Sequence, residues 1–155
     1  MRSATQLIND SIATGAVATA ATTAAASICG RLEEGTPVAP LNAVSHILWG
    51  DEAAAHDEAS AKYTLPGVML NAAAITGWAA VHELMFAGRR RPKTLPAAIA
   101  TGAAVSALAY VTDYYVVPKR FTPGFEKRLS NASLAGIYAT LAVSLGIGSW
   151  LRHKR

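Results

Sequence analysis

The sequence predicts an all-α fold, an integral membrane bundle of four transmembrane helices with a helical acidic extramembrane segment between the first two. Apolar residues make up 52% of the chain and charged residues only 15%, against roughly 25% charged residues in an average soluble domain. Charged side chains are absent from four long windows, which lie between Asp10 and Arg31, Lys62 and Glu83, Lys93 and Asp113, and Arg128 and Arg152. A soluble amphipathic helix would carry a charge every turn or two on its exposed face. Four uncharged windows of this length therefore predict four helices in lipid.

A short basic turn, AGRRRPKTLP, separates the two central windows and supports the same fold. The apolar runs on either side of it are each about long enough to cross a hydrocarbon core of roughly 30 Å at about 1.5 Å per residue. A chain of 155 residues is sufficient for one compact unit. We expect a single domain, residues 1–155, with spans at residues 7–29, 66–87, 95–117 and 130–151 and the extramembrane segment at residues 30–65.

The first span, residues 7–29, is mostly Ala and Thr, and a signal peptide is the alternative interpretation. Asp10 is unfavourable inside a signal peptide. Ile28, just before Cys29, occupies a position where a lipoprotein signal requires a small residue. The small residues of the segment instead favour a helix that packs closely against its neighbours in a bilayer.

The segment of residues 30–65 is the only long polar stretch, and its six acidic and two basic residues give it a net charge of −4. Pro37 and Pro40 predict an extended strap at its start. Residues 41–49 predict a short interfacial helix with its tryptophan as the membrane-level anchor. The Ala-rich residues 51–62 predict a further helix.

The remaining spans carry small residues at intervals of four, which allow helices to approach closely in a membrane. Gly102 in the third span and Gly136 in the fourth belong to such patterns. We therefore expect the helix faces that bear these two glycines to pack inside the bundle.

The distribution of basic residues predicts that both termini are cytoplasmic. With the N-terminus inside, eight Lys and Arg residues lie on the cytoplasmic side and six on the other, in the direction of the positive-inside rule. The connection at residues 118–129 opposes the rule, because its net charge is +3. We expect the acidic segment to dock onto this connection and to pack residues 41–49 against Phe121 and Phe125.

Asp113 is the candidate ligand-binding residue, because an ionisable residue within a span costs several kcal/mol unless it is paired or hydrated. Asn71 and Asn131 are expected in the same outer layer of the bundle. Lys119 and Arg120 follow Asp113 within two turns. The interpretation we favour is a structural pairing of Asp113 with one of these cations. The alternative is a ligand site formed by Asn71, Asp113, Lys119 and Arg120.

His46, Asp51 and His56 are weak metal-ligand candidates. Their spacing matches no metal-binding signature, and an acidic, solvated helix explains them as well. We therefore predict no metal site and no cofactor. His82 and Glu83 are expected near the cytoplasmic end of the second span, where pairing of His82 with Asp10 is an open alternative.

No catalytic residue is predicted. The sequence has no GxSxG motif, no phosphate-binding loop and no second His that would complete a zinc-protease helix. Nor does it have the interleaved aromatic and basic residues of a nucleic-acid-binding surface. The favoured function is a non-enzymatic structural or partner-binding component of the cell envelope, with the lipid bilayer and a membrane protein or a homo-oligomer as partners. The alternatives are a small carrier or channel acting as an oligomer, and a metal-binding or enzymatic site on the acidic segment.

Two stretches, LNAVSHILWGDEAAAHDEASAKYT and DYYVVPKRFTPGFEKRLS, resemble a group of small bacterial inner-membrane proteins with four predicted helices and no assigned activity. The resemblance covers most of the chain from Leu41 onward. It implies a compact four-helix unit in a bacterial inner membrane, and it implies no catalytic residue.

Overall fold

The computed structural model describes residues 3–86 and 91–153, and every regular element in these ranges is helical. The long helices are α1, α4, α5 and α6, and two short helices, α2 and α3, lie between α1 and α4. The bounds are Ala4–Glu33 for α1, Ala39–Val44 for α2, His46–Trp49 for α3, Thr64–Met85 for α4, Leu95–Val111 for α5 and Asn131–His153 for α6. A π-helical turn, Thr112–Val116, extends α5, and 3₁₀ turns occur at Asp51–Ala55, Lys119–Phe121 and Phe125–Lys127.

The predicted all-helical fold and its four long helices are confirmed. All four are long and apolar enough to cross a membrane. The first is longer than predicted: it begins at a capping box, in which Ser3 and Gln6 exchange hydrogen bonds, and continues to Glu33. Residues 87–90, the first four of the ten residues of the basic turn, and the basic residues 154–155 lie outside the described residues.

The long helices contact one another in the order α4, α1, α6 and α5, and we refer to α1 with α4 and α5 with α6 as the two helix pairs. Helix α1 packs against α4 and also against α6, and α6 packs against α5. The α5–α6 contact is close because a Cβ atom on Gly102 would lie only 2.0 Å from the carbonyl oxygen of Ala142. Gly146 faces α5 in the same way, with its hypothetical Cβ 2.5 Å from the oxygen of Ala98. The prediction that Gly102 packs inside the bundle is thus confirmed.

The corresponding prediction for Gly136 is wrong. A Cβ atom there would meet nothing within 4 Å, and the residue is exposed on the outer face of α6. The spacing of small residues is the same on both faces of α6, so it could not identify the face that packs.

The acidic segment differs from its prediction in three places. Pro40 lies in the first turn of α2, where proline is tolerated, so residues 37–40 do not form an extended strap. Residues 41–49 form parts of two short helices, and their first half is buried against protein. The predicted helix at residues 51–62 ends at Ala55.

Asn42 explains why the last of these helices stops. Its fully buried side-chain amide donates to the carbonyl oxygens of His56, at 2.8 Å, and Glu58, at 3.0 Å. The hydroxyl of Thr36 donates to the oxygen of Asp57 at 2.8 Å. These side-chain bonds satisfy backbone groups that a helix would otherwise pair, and residues 56–60 run as irregular chain.

The acidic segment docks onto the connection between α5 and α6, as predicted. The Arg128 guanidinium lies 2.6 Å from both the Glu34 and the Asp57 carboxylates, and the Lys127 ammonium lies 2.7 Å from that of Asp51. We call residues 34–63 together with residues 118–130 the cap.

The apolar centre of the cap is Phe125, which is only 4% exposed and belongs to a buried cluster with Leu41 and Val44. Phe121, the other predicted contact, is 56% exposed. The cluster continues into the bundle through Ala26, Leu134 and Ile137. A second buried cluster fills the bundle further from the cap, and it includes Ala18, Ile75, Val105, Leu141 and Leu145.

Replacing Gly102 by Leu should destabilise the bundle by about 1–3 kcal/mol, because the new side chain would overlap the α6 backbone. Gly136→Leu is the matched control, and it should leave stability unchanged or slightly raised, since Leu favours helix more than Gly does. The measurement is the thermal midpoint of each variant in detergent. Equal midpoints for Gly102→Leu and the parent would contradict the close contact.

Acidification should loosen the contact between the end of α1 and the start of α6, and also the contact between the two parts of the cap. Hydrogen bonds from Ser133 and from the backbone and hydroxyl of Ser130 lower the pKa of Glu33. The hydrogen bond and charge of Lys127 lower the pKa of Asp51. Both pKa values are lower in the folded state than in the unfolded state. The resulting stability is therefore complete above about pH 4.5 and lost as the pH falls through the lowered values.

Hydrogen exchange of the first turn of α6, corrected for the intrinsic effect of pH, measures this loss. Exchange should accelerate below about pH 4.5 in the parent, and Glu33→Gln should exchange fast at every pH. Glu58→Gln, an exposed acidic position in the cap, is the control and should behave as the parent. Equal protection of this turn at pH 6 and pH 3 would refute the assignment.

Candidate functional site

A pocket of about 380 Å³ lies beneath the cap, in the space between α4 and the α5–α6 pair. Its volume falls in the range of roughly 300–1,000 Å³ that is typical of small-molecule sites. The side chains around it are mostly apolar or aromatic. They are Thr22, Val44, Ile47, Leu70, Asn71, Ala73, Ala74, Ile75, Trp78, Asp113, Phe121, Pro123, Phe125, Ile137, Tyr138 and Leu141.

The pocket results from the way the two helix pairs meet. Helix α5 is held close to α6 at Gly102 and Gly146, while α4 packs chiefly against α1. Ala73 and Ala74 present only methyl groups to the space between α4 and the α5–α6 pair. The cap spans the gap, with Phe125 and Val44 forming part of the roof.

A π-helical turn brings Asp113 to the pocket wall. The backbone N–H of Val117 donates to the carbonyl oxygen of Thr112 at 2.9 Å, five residues earlier, which changes the rotation of the intervening side chains relative to an α-helix. One carboxylate oxygen of Asp113 accepts a hydrogen bond of 2.6 Å from the Tyr138 hydroxyl. This pair is the most polar part of the wall.

A second carboxylate, that of Glu126, lies on the other side of a group of tyrosines. The Tyr114 hydroxyl donates to Glu126 at 3.3 Å, and the rings of Tyr114 and Tyr138 are 6.1 Å apart in an edge-to-face arrangement. Within residues 3–86 and 91–153, neither Asp113 nor Glu126 forms an ion pair. Asp113 thus lies on the wall of the apolar pocket with a phenol hydroxyl as its partner, whereas Glu126, which also accepts from the Thr122 hydroxyl, lies beyond Tyr114.

Asn71 is a polar side chain on the α4 side of the pocket wall. It is only 7% exposed, and its amide nitrogen donates to the Thr23 hydroxyl at 3.3 Å. Its carbonyl oxygen has no hydrogen-bond donor within the described part of the chain. The oxygen is therefore free to accept a hydrogen bond from a bound molecule.

Of the four predicted ligand-site residues, the structure brings Asn71 and Asp113 to the same pocket. Lys119 and Arg120 do not line it. The predicted pairing of Asp113 with either cation is wrong, because its partner is the Tyr138 hydroxyl. The Arg120 guanidinium instead donates to the carbonyl oxygen of Ile47 at 3.1 Å, within the cap.

Tyr138 is the site residue that the sequence analysis missed. It is the only aromatic residue between Leu134 and Ser149 in the last span, and that isolation was the available signal. Asn131, which was expected in the same layer, lies exposed at the first position of α6.

The three metal-ligand candidates each contact a different partner. His46 is buried, and its Nδ1–H donates to the carbonyl oxygen of Ala43 at 2.9 Å. Asp51 binds the Lys127 ammonium, and the His56 ring stacks on Tyr63 at 4.0 Å between centroids. No group of three or more metal-ligating side chains occurs in the described ranges.

A second set of polar residues, most of them buried, lies at the opposite end of the bundle. The Arg152 guanidinium lies 2.9 Å from the Asp10 carboxylate, and the Thr14 hydroxyl donates to Glu83 at 2.9 Å. The His82 Nε2–H donates to the Thr101 hydroxyl at 2.9 Å. These contacts tie α1 to α6, α1 to α4 and α4 to α5, so they hold this end of the bundle closed.

The comparisons with known proteins leave the pocket as the main guide to function. No family model matches the chain, and neither a search of curated proteins nor one of solved structures finds a significant match.

Proposed function

We propose that this chain is a multi-pass membrane protein with a non-enzymatic binding function, and that the pocket beneath the cap holds the apolar part of a molecule dissolved in the membrane. The observation that carries the proposal is the pocket itself, an apolar space of about 380 Å³ with Asp113 and Asn71 as polar groups on its wall. An apolar pocket with a few convergent polar groups is the usual form of a small-molecule site.

The outward-facing surface supports insertion into a bilayer. Large apolar side chains are exposed on all four long helices, for example Ile12 at 56%, Met69 at 62%, Leu108 at 44% and Val143 at 42%. Soluble monomers rarely expose apolar patches larger than a few hundred Å². In lipid, exposure of this apolar surface carries no hydrophobic free-energy penalty.

The arrangement of the helix ends supports the predicted orientation. The contact between Asp10 and Arg152 joins the start of α1 to the end of α6, so both termini belong at the end opposite the cap. The positive-inside rule favours that end as the cytoplasmic one. With the resemblance to bacterial inner-membrane proteins, we assign the chain to that membrane with the cap on its outer side.

Binding is favoured over catalysis and over conduction for separate reasons. Asp113 accepts from a phenol and has no activated nucleophile beside it among the residues that line the pocket. The buried cluster around Val105 and Leu145 fills the bundle beyond the pocket. A packed core of this kind opposes an aqueous route through the protein, which argues against the carrier or channel alternative.

The orientation predicts a difference in labelling from the two sides. In a Cys29→Ser background, a cysteine at Glu58 should react with a membrane-impermeant maleimide in intact cells whose outer membrane has been permeabilised. A cysteine at Lys93 should react only after the inner membrane is also opened. Both positions are exposed, so reactivity reports on the side of the membrane. The reverse pattern would contradict the proposed topology.

The pocket predicts quenching of Trp78 by a neutral brominated ligand. Trp49→Phe and Trp150→Phe leave Trp78 as the only tryptophan, and 2-(4-bromophenyl)ethanol should quench it saturably. Ala74→Phe fills the pocket and should weaken binding at least about fivefold, a loss of about 1 kcal/mol. Ala72→Phe is the matched control on the same helix, because Ala72 faces the shallow α1–α4 groove. Linear quenching that both variants leave unchanged would mean that the ligand enters only the detergent or lipid.

A further inference from the structure

We infer that the pocket selects an amphipathic organic cation, with an ammonium group at Asp113 and an apolar body directed towards Trp78. The inference rests on the proposed function, because it names the chemical class of molecule that the same pocket takes. It depends on the charge balance at the pocket wall, on the aromatic side chains beside it and on the depth of the pocket.

The charged side chain on the pocket wall, Asp113, is acidic. Within residues 3–86 and 91–153, Asp113 accepts only the Tyr138 hydroxyl, although a carboxylate has about four acceptor positions. Glu126 adds a second carboxylate beyond Tyr114. A carboxylate at an apolar site is costly unless a positive charge or further hydrogen bonds compensate it. A ligand with a positive charge would provide that compensation.

Three basic residues of the connection between α5 and α6 make contacts elsewhere, and the fourth, Lys119, does not line the pocket. Lys127 binds Asp51, and Arg128 binds Glu34 and Asp57. The Arg120 guanidinium is directed to a backbone oxygen of α3. None of these cations lines the pocket, so the protein itself does not neutralise the wall within the described residues.

Aromatic side chains supply the second element of a cation site. Tyr138, which holds Asp113, lines the pocket together with Phe121 of the cap. An ammonium or quaternary ammonium group within about 6 Å of such ring faces is attracted by their negative quadrupole potential. Trp78, which lines the pocket further from the cap, buries the apolar body of the ligand.

The depth of the pocket sets the length of the ligand. Asn71 and Trp78 are seven residues apart on α4, or about 10 Å along the helix axis. Asn71, with its carbonyl oxygen free to accept, lies one such length closer to the cap than Trp78. An ammonium group in the layer of Asn71 and Asp113 therefore places a body of one aromatic ring and a short linker against Trp78.

The test compares three ligands of the same shape in the protein whose only tryptophan is Trp78. They are 4-bromophenethylamine, which is cationic at pH 7, 2-(4-bromophenyl)ethanol, which is neutral, and 4-bromophenylacetic acid, which is anionic. The amine should bind about tenfold more tightly than the alcohol, as expected for a charge-assisted hydrogen bond. The acid should bind more weakly than the alcohol.

Asp113→Asn removes the charge and keeps an acceptor for the Tyr138 hydroxyl. It should reduce the preference for the amine over the alcohol to less than about twofold, because the charge-assisted contact is lost. Glu58→Gln removes an exposed acidic residue away from the pocket and should leave the preference unchanged. If Asp113→Asn fails to fold, the ranking of the three ligands in the parent still decides the question.

The outcomes separate this inference from the proposed function. Equal saturable binding of the amine and the alcohol would overturn the selection for cations and leave the pocket as a binding site. Tight binding of the acid would also overturn the selection. Absence of saturable quenching by all three ligands would overturn the proposed function and this inference together.

Discussion

Close contacts between the cap and the long helices hold the two helix pairs in their relative positions. Gly67 at the start of α4 lies against α2 so closely that a Cβ atom there would be 1.9 Å from the carbonyl oxygen of Leu41. At the other edge, Gly124 has a φ of +92° and approaches the oxygen of Ala43. The left-handed conformation and the lack of space both require glycine at this position. The cap therefore fixes α4 relative to the α5–α6 connection, and the space between them becomes the pocket.

Apolar contact provides most of the energy of this docking, and the charges determine its partner. Burial of Phe125 with Leu41 and Val44 contributes roughly 1.5–3 kcal/mol for each fully buried side chain. Exposed ion pairs such as Lys127 with Asp51 contribute little, because water screens them. Arg128 differs from a single exposed ion pair, because its guanidinium contacts Glu34, Asp57 and the carbonyl oxygen of Ala54. It links both parts of the acidic segment to the connection.

Much of the fold could be predicted from the sequence, because it depends on features that a single helix already shows. Charge-free windows of about 20 residues predict long apolar helices wherever they occur. The opposite charges of the acidic segment and the connection predicted that the two would meet. The close packing of Gly102 followed from the requirement for small residues in a membrane interface.

The site could be predicted only in part, because it depends on how helices are oriented relative to one another. Asn71 and Asp113 were identified as polar residues in apolar spans, and both line the pocket. The partner of Asp113 was missed, because the π-helical turn at Thr112–Val116 rotates it towards Tyr138. The Gly136 prediction failed for a related reason, since identical spacing occurs on two faces of one helix.

The end of the 3₁₀ turn at Ala55 depends on a tertiary contact of Asn42 that no local pattern in residues 51–62 reveals. The pocket itself results from the lack of close packing between α4 and α5 beneath the cap, and no sequence motif indicates this.

If the space beneath the cap is a binding site, a bromine atom on a bound ligand should lie inside it. Crystals grown from a lipid phase with 4-bromophenethylamine would show the bromine by its anomalous scattering. We expect a single peak in contact with the Trp78 ring, with the amine nitrogen about 2.7–2.9 Å from a carboxylate oxygen of Asp113. Bromine peaks only on the lipid-facing surfaces of the helices, with the pocket filled by protein side chains, would contradict it.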